Sequence, residues 1–314
     1  MKSLQINNQV SEQILPLKYR IYSPIHHVFN DCKNINFFGK HPFVIAKNSL
    51  NRLMFKYIFL NKGIITVQTK DGFLIKVPLN DQAAASIIFE QQYSPEEGDV
   101  ILRLLGCYSS FLDVGANLGY FSLLALHKLK LNNDSHIIAV EPNKKLCLLI
   151  NESMEANSFY NGKVIPAAAG ENSGEGFFSL QTELSSNAKI IYNNQEDNTN
   201  KELVDIVRVD DLIDVENKGI IKWVIKIDVE GSEIEVLKGS DQAFANGSIF
   251  LIEVSKSLKN DLNSILNKYD YIILDRYGKN INVEELRSEK NNIILVPSIA
   301  ATSVGEILKS NKNQ

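Results

Sequence analysis

From residue 109 onward, short apolar runs alternate with longer amphipathic ones. The runs at 110–114, 136–141 and 163–168 read as strands, and the stretches between them, 118–130 and 143–156, carry apolar residues at helical spacing. This alternation predicts a parallel sheet with right-handed helical crossovers. Residues 170–200 interrupt it: 177–180 and 188–192 read as strands, and 193–200 is a polar, turn-rich run. The pattern resumes with strands over 204–209 and 221–228, a helix over 231–238, a strand over 249–254, a helix near 258–268, and strands over 270–275 and 292–296. Upstream, Leu50, Leu53, Met54, Tyr57 and Ile58 recur at helical spacing and predict a helix over 48–61 that ends at Gly63. Two alternating runs, 64–68 and 73–77, flank Thr69-Lys70-Asp71-Gly72, a hairpin signal. Residues 83–104 read as helices on either side of Ser94-Pro95-Glu96-Glu97-Gly98, where Pro95 marks a helix start. The chain therefore divides into an amino-terminal extension, 1–82, and a larger α/β domain, 83–314, with an insert near 170–200.

Composition narrows the class. The 314 residues are 44% hydrophobic and 22% charged, with 33 basic against 37 acidic residues, a net charge of −4. That is ordinary for a globular protein, and the absence of a long basic block argues against a nucleic-acid partner. No apolar run is long enough to span a bilayer, and the first residues lack the apolar core of a signal peptide. Cys32, Cys107 and Cys147 are scattered and form no C-x-x-C pair, so the expected location is the reducing cytoplasm and no cysteine metal site is expected.

The segment Phe111-Leu112-Asp113-Val114-Gly115-Ala116-Asn117-Leu118-Gly119 carries the chemistry. A strand ends in an acid, a tight turn follows, and a helix begins with Leu118, Phe121, Leu124 and Ala125 on one face. Strand, loop and helix N-terminus together make a site for a small charged ligand. A dinucleotide loop needs G-x-G-x-x-G; here position 117 is Asn, and Asp113 would face any phosphate. S-adenosylmethionine has no phosphate. Asp113 suits its ammonium, the amides around Gly115, Ala116, Asn117 and Gly119 suit its carboxylate, and Glu141, ending the next apolar run, suits its ribose diol. The competing reading is an ordinary strand-to-helix turn with a surface acid.

A second constellation ends the strand Trp223-Val224-Ile225-Lys226-Ile227 with Asp228-Val229-Glu230-Gly231, and the next strand ends in Glu253. Charges in a strand buried on both faces belong at its carboxyl end, so Asp113, Glu141, Asp228 and Glu253 should open onto one rim. Three motifs together resemble the FkbM family of S-adenosylmethionine-dependent O-methyltransferases: Leu112-Asp113-Val114-Gly115-Ala116-Asn117-x-Gly119-Tyr120, Val140-Glu141-Pro142-Asn143, and Lys226-Ile227-Asp228-Val229-Glu230-Gly231-x-Glu233-x-x-Val236-Leu237-x-Gly239. The resemblance extends to Phe89-Glu90-x-x-Tyr93 and Val207-x-Val209-Asp210-Asp211-Leu212, and covers residues 65–255. It implies the class I methyltransferase (Rossmann-like) fold, a seven-stranded mostly parallel sheet with an antiparallel last strand, here with a helix and β-hairpin extension capping the acceptor side. It also implies a hydroxyl of a sugar, a surface-polysaccharide unit or a small natural product as acceptor. The chain departs from the family at Pro166-Ala167-Ala168-Ala169-Gly170-Glu171, where many members read Asn-Ala-Ala-Leu-Ser-Asp, so the adenine contact falls to the backbone at Ala167 and Ala168.

The expected base that takes the acceptor's proton is Asp228 or Glu230, with Glu253 next; a capping role for Asp228 and a lysine partner for Glu230 are the competing readings. Tyr120 would cover the methionine portion of the cofactor, Pro142 adjoins the ribose acid, and Glu90 and Tyr93 would close over the ligand. A divalent cation among the acids is a weaker option with a thin ligand set, and His26, His27 and His41 could line the acceptor pocket. Two other functions compete: an NAD(P)-dependent oxidoreductase, which lacks its glycine at 117, and a non-catalytic scaffold, which would have no need of the acids. The amino-terminal hairpin offers an edge through which two copies could pair as a homodimer.

Overall fold

The computed structural model describes residues 63–79, 81–179, 189–191, 201–214, 222–229, 231–254, 256–286 and 291–309. The helix expected over 48–61, Cys32, His26, His27, His41 and Glu230 lie outside them.

The expected hairpin forms: β1 (Ile64–Gln68) and β2 (Leu74–Pro78) pair antiparallel, with Ile65 opposite Val77 and Val67 opposite Ile75. Two helices follow, α1 (Gln82–Glu90) and α2 (Pro95–Leu104). Asp81 starts α1 by accepting from Ala84 N–H at 2.9 Å. Pro95 fixes the first turn of α2, with Glu96 and Glu97 behind it at the positive end of the helix.

The main sheet begins with β3 (Ser110–Val114), α3 (Tyr120–Leu129), β4 (His136–Val140), α4 (Lys144–Ala156) and β5 (Gly162–Ile165). It is completed by β10 (Trp223–Ile227), α6 (Glu233–Lys238), α7 (Asp241–Ala245), β11 (Ile249–Val254), α8 (Lys259–Tyr269), β12 (Tyr271–Leu274), the two-residue β13 (Asn280–Ile281), β14 (Asn291–Pro297) and α9 (Ala301–Lys309). Its order is β13-β12-β14-β11-β10-β3-β4-β5. The five strands from β11 to β5 run parallel, and β14 inserts antiparallel between β11 and β12. This is the expected class I arrangement, with β13 added at the edge. From β3 the chain first builds outward through β4 and β5, then returns to build the other way through β10 and β11. The crevice above the β3–β10 pair is thus the topological switch point where ligands bind in such sheets.

Alternation along each strand divides the core between the two faces. Phe111, Val224, Ile249 and Leu251 pack with the hairpin and α1 to α4, while Leu112, Val114, Ile225, Phe250 and Ile252 pack with α6 to α8. Trp223, Phe73, Phe111 and Phe250 are among the largest fully buried side chains.

One expectation is corrected. The run 163–168 is not one strand: it splits at Pro166 into β5 and β6 (Ala167–Ala169), because proline has no N–H to continue the ladder. β6 belongs to a second sheet of order β6-β9-β7-β8, with β7 (Gly174–Ser179), β8 (Lys189–Ile191) and β9 (Lys201–Val207). A short helix, α5 (Val209–Asp214), leads back toward β10.

The hairpin is fastened to the domain through side chains. Leu74 N–H donates to Asn157 Oδ1 at 2.7 Å, Asn157 Nδ2 donates back to Leu74 O at 2.6 Å, and Lys76 N–H donates to Ser153 Oγ at 2.9 Å. Residues at the end of α4 thereby satisfy part of the outer edge of β2.

Candidate functional site

β3 is buried along its whole length and delivers Asp113 beneath the loop with 1% exposure. Asp113 Oδ2 accepts from Ser122 Oγ at 2.7 Å, and Oδ1 is buried without a hydrogen-bond partner. Burial raises its pKa, against the opposing pull of Lys226 and Ser122. The loop beyond can turn only with glycine at 115. Its φ is +79°, and a Cβ there would lie 1.9 Å from the Asp228 carbonyl oxygen. Gly119 is similar, with φ +75° and a Cβ position 2.7 Å from Ile150 Cγ1.

The loop amides are mostly spent inside the chain. Gly115 and Ala116 N–H both donate to Val140 O, at 2.9 and 3.0 Å, and Gly119 N–H donates to Ala116 O at 2.7 Å. Asn117 N–H donates to Glu141 Oε2 at 2.8 Å. The amides at these four positions are therefore engaged within the chain, which differs from the open carboxylate cradle expected of the loop. Glu141 is 6% exposed, and its other oxygen accepts Asn143 N–H at 2.9 Å, tying the loop to the start of α4. Burial pushes its pKa up to about 7 against these two stabilising amides. Asn117 Oδ1 is also buried without a partner.

The other expected residues distribute around this centre. Asp228 N–H donates to Val114 O at 3.0 Å, so the second acid leaves β10 directly beside the glycine loop. Glu253 lies on β11 opposite Asn292 of β14. Tyr120 is buried, packs against Phe73, Tyr93 and Phe121, and donates its hydroxyl to Asp71 at the hairpin tip, where Gln92 also donates. Its side chain thus fastens the hairpin to the start of α3. Pro142 is half-buried at the start of the α4 turn, Ala168 is buried in the β6–β9 ladder, and Glu90 is exposed at the end of α1.

A cavity of about 250 Å³ opens at the carboxyl ends of β10 and β11. Tyr93, Ser94, Glu97, Asp228, Glu253 and Asn292 line it together with residues of those strands, and its surface is mostly polar. Two members of this region escaped the sequence reading. Lys226 is 3% exposed; its Nζ sits 3.0 Å from Asp228 Oδ2, 3.7 Å from Glu97 Oε1 and 5.1 Å from the centroid of the Phe121 ring. Burial opposes its charge, but Asp228, Glu97 and Asp113 outweigh that and hold it protonated. The available signal was a lysine inside an otherwise apolar strand, which requires an acid partner. Glu97 looked like any first-turn helix acid. In the fold, burial raises its pKa, as do Asp228 and Asp113, while Lys226 and the Ser94 hydroxyl pull it down.

Among the described residues no group of three or more His, Cys, Asp and Glu could hold a metal ion, and no helix is long and apolar enough to cross a membrane.

A family profile described as a methyltransferase FkbM domain matches residues 113–273, just over half of the chain. No curated protein sequence matches. Among solved structures, an O-methyltransferase from Bacillus cereus in complex with SAH is similar at 10% identity and a TM-score of 0.38, covering 88% of this chain and 98% of that one. A precorrin-6y C5,15-methyltransferase from Geobacter metallireducens is similar at 12% identity and a TM-score of 0.35, covering 64% and 85%. An rRNA methylase from Streptococcus thermophilus is similar at 10% identity and a TM-score of 0.37, covering 64% and 93%.

Proposed function

The chain belongs to the FkbM methyltransferase family, S-adenosylmethionine-dependent enzymes, and on that premise we propose that it methylates a hydroxyl of a sugar unit or small natural product, with the cofactor in the crevice above β3 and β10. The observation that carries this reading is the meeting of the two acid-ended strands: Asp228 N–H bonds Val114 O, and Gly115 has no room for a side chain against the Asp228 carbonyl. The buried, unpartnered Asp113 Oδ1 fits a ligand with an ammonium at its amino-acid end.

In this reading Asp113 and the loop at Gly115, Ala116, Asn117, Gly119 and Tyr120 hold the amino-acid end. Glu141 accepts from the ribose hydroxyls with the lone pairs its two amide bonds leave over, beside Pro142, and the backbone near Ala168 meets the adenine. Glu90 and Tyr93 close the near side. The cofactor supplies a methyl group on a cationic sulfur. Asp228 accepts the hydrogen bond of the acceptor hydroxyl and takes its proton at a side-chain oxygen, with Lys226 fixing the carboxylate at 3.0 Å. Glu253 and Asn292 orient the rest of the acceptor, and the acidic lining disfavours phosphate-bearing acceptors. Alignment of acceptor and donor supplies the larger share of the rate, up to about 7–11 kcal/mol, and a positioned base about 10²–10⁴-fold.

The test is calorimetric titration with S-adenosylhomocysteine and with NAD⁺, followed by transfer of labelled methyl to a panel of methyl glycosides. Binding of S-adenosylhomocysteine that weakens in Asp113→Ala and Glu141→Ala is expected, as is slow turnover with near-normal affinity in Asp228→Asn. Binding of NAD⁺ alone would overturn the reading, and wild-type turnover in Asp228→Asn would remove Asp228 as the base.

A further inference from the structure

We propose that Glu97 is a further residue of the transfer site: its carboxylate, facing Asp228 across Lys226, sets the site's preference for a cationic over a neutral cofactor, and so favours release of the product once the methyl has left. The inference rests on the placement of the cofactor above β3 and β10.

Three carboxylates, Asp113, Glu97 and Asp228, share one buried ammonium, Lys226. The nearest of them, Asp228 at 3.0 Å, takes most of that charge; Glu97 stands farther off at 3.7 Å, and its side chain keeps 22% exposure on the cavity wall. Lys226 therefore neutralises about one carboxylate, and the surplus negative field is directed into the cavity where Glu97 lies. A sulfonium bound there is attracted, and the thioether left after transfer is not. Loss of the methyl also removes the sulfur's charge, and it is that loss of charge the carboxylate senses.

Glu97 reaches this place because Pro95 and the left-handed Ser94, φ +38°, turn the chain into α2 at the cavity mouth. The Ser94 hydroxyl bonds the carboxylate, and Tyr93 closes the same side. The charged and titratable groups facing Glu97 are Lys226 from β10, Asp228 just after it, Asp113 from β3 and Tyr93 from the segment before α2, with Glu253 across the cavity. Burial raises the pKa of Glu97, so its charge is lost on mild acidification before that of an ordinary surface glutamate.

The measurement is the affinity ratio of two cofactor analogues: sinefungin, which carries an ammonium where the sulfonium would be, and S-adenosylhomocysteine, which carries a neutral sulfur. Both have the same amino-acid and ribose ends, so titration of Asp113 or Glu141 shifts both affinities together and cancels. In Glu97→Gln the sinefungin preference should fall about tenfold, the worth of one partly screened charge pair, while S-adenosylhomocysteine binds as in the wild type. In the wild type the preference should decline as pH falls, and in Glu97→Gln the decline should be smaller, because only Asp228 and Glu253 remain to titrate on the cavity wall. Glu96→Gln, on the exposed side of the same helix, should leave the ratio unchanged. An unchanged ratio in Glu97→Gln, or an equal fall in Glu96→Gln, overturns the proposal and leaves the cofactor placement standing. A wild-type protein that binds neither analogue overturns the placement and this inference with it.

Discussion

Replacing Lys226 by methionine removes the ammonium and keeps a flexible stem against Phe121. The cost can be worked from the geometry. Removing one member of a fully buried ion pair costs about 3–5 kcal/mol, whereas an exposed pair is worth about 0–1. Lys226 itself is 3% exposed, but Asp228 and Glu97 keep 39% and 22% side-chain exposure, so the carboxylates left behind recover part of their hydration. The expected loss lies between those limits, about 2–3 kcal/mol near neutral pH. Its pH dependence has a definite sign. Glu97 and Asp113 already titrate above the ordinary carboxylate range through burial, and without Lys226 they move further up. A raised folded-state pKa contributes stability that is present below the unfolded value and lost as pH rises through the folded value. The deficit of the variant should therefore be largest in alkaline buffer and shrink toward about pH 5. Urea unfolding followed by tryptophan emission is a direct assay, because Trp223 is the only tryptophan of the chain, is buried and lies on the same strand as Lys226. Wild-type stability at about pH 8, or a deficit that grows on acidification, would refute the reasoning.

Gly115→Ala must adopt a left-handed backbone and displace the Asp228 carbonyl. We expect about 1–3 kcal/mol of lost stability and a marked loss of S-adenosylhomocysteine affinity, read by thermal melting and calorimetry; wild-type values in both would show that the loop and β10 are not in contact. Tyr120→Phe and Asp71→Ala each remove the bond that fastens the hairpin to α3 and should each cost about 1–2 kcal/mol, with the double variant costing little more than either; full additivity in urea melts would mean the two side chains do not meet.

The strand-and-helix order was readable because β3, β4, β10 and β11 are strongly apolar and short, and because Asp113, Asp228 and the glycines sit where such strands end. Less was readable where a single residue overrides its neighbours. Pro166 divides a continuous apolar run between two sheets, and the run alone gives no hint of the second partner. α9 and β13 escaped notice: β13 has only two residues, and α9 follows a strand without a strong cap. At the site, the glycine loop and Glu141 were visible as a motif, but the bond between Asn117 N–H and Glu141 was not, because a carboxylate expected to await a ligand also closes its own loop. Glu97 and Lys226 meet only through tertiary packing: one belongs to the first turn of α2 and the other to the middle of β10, far apart in sequence.

Pro166 has one more consequence. The small sheet leaves the large one at β6 and comes back through β9, which lies alongside β6 before the chain returns to β10. Departure and return share one seam, and β7 and β8 add to the far side of β9 and not to the large sheet. Their length and sequence can change over generations without altering the strand order of the eight-strand ladder.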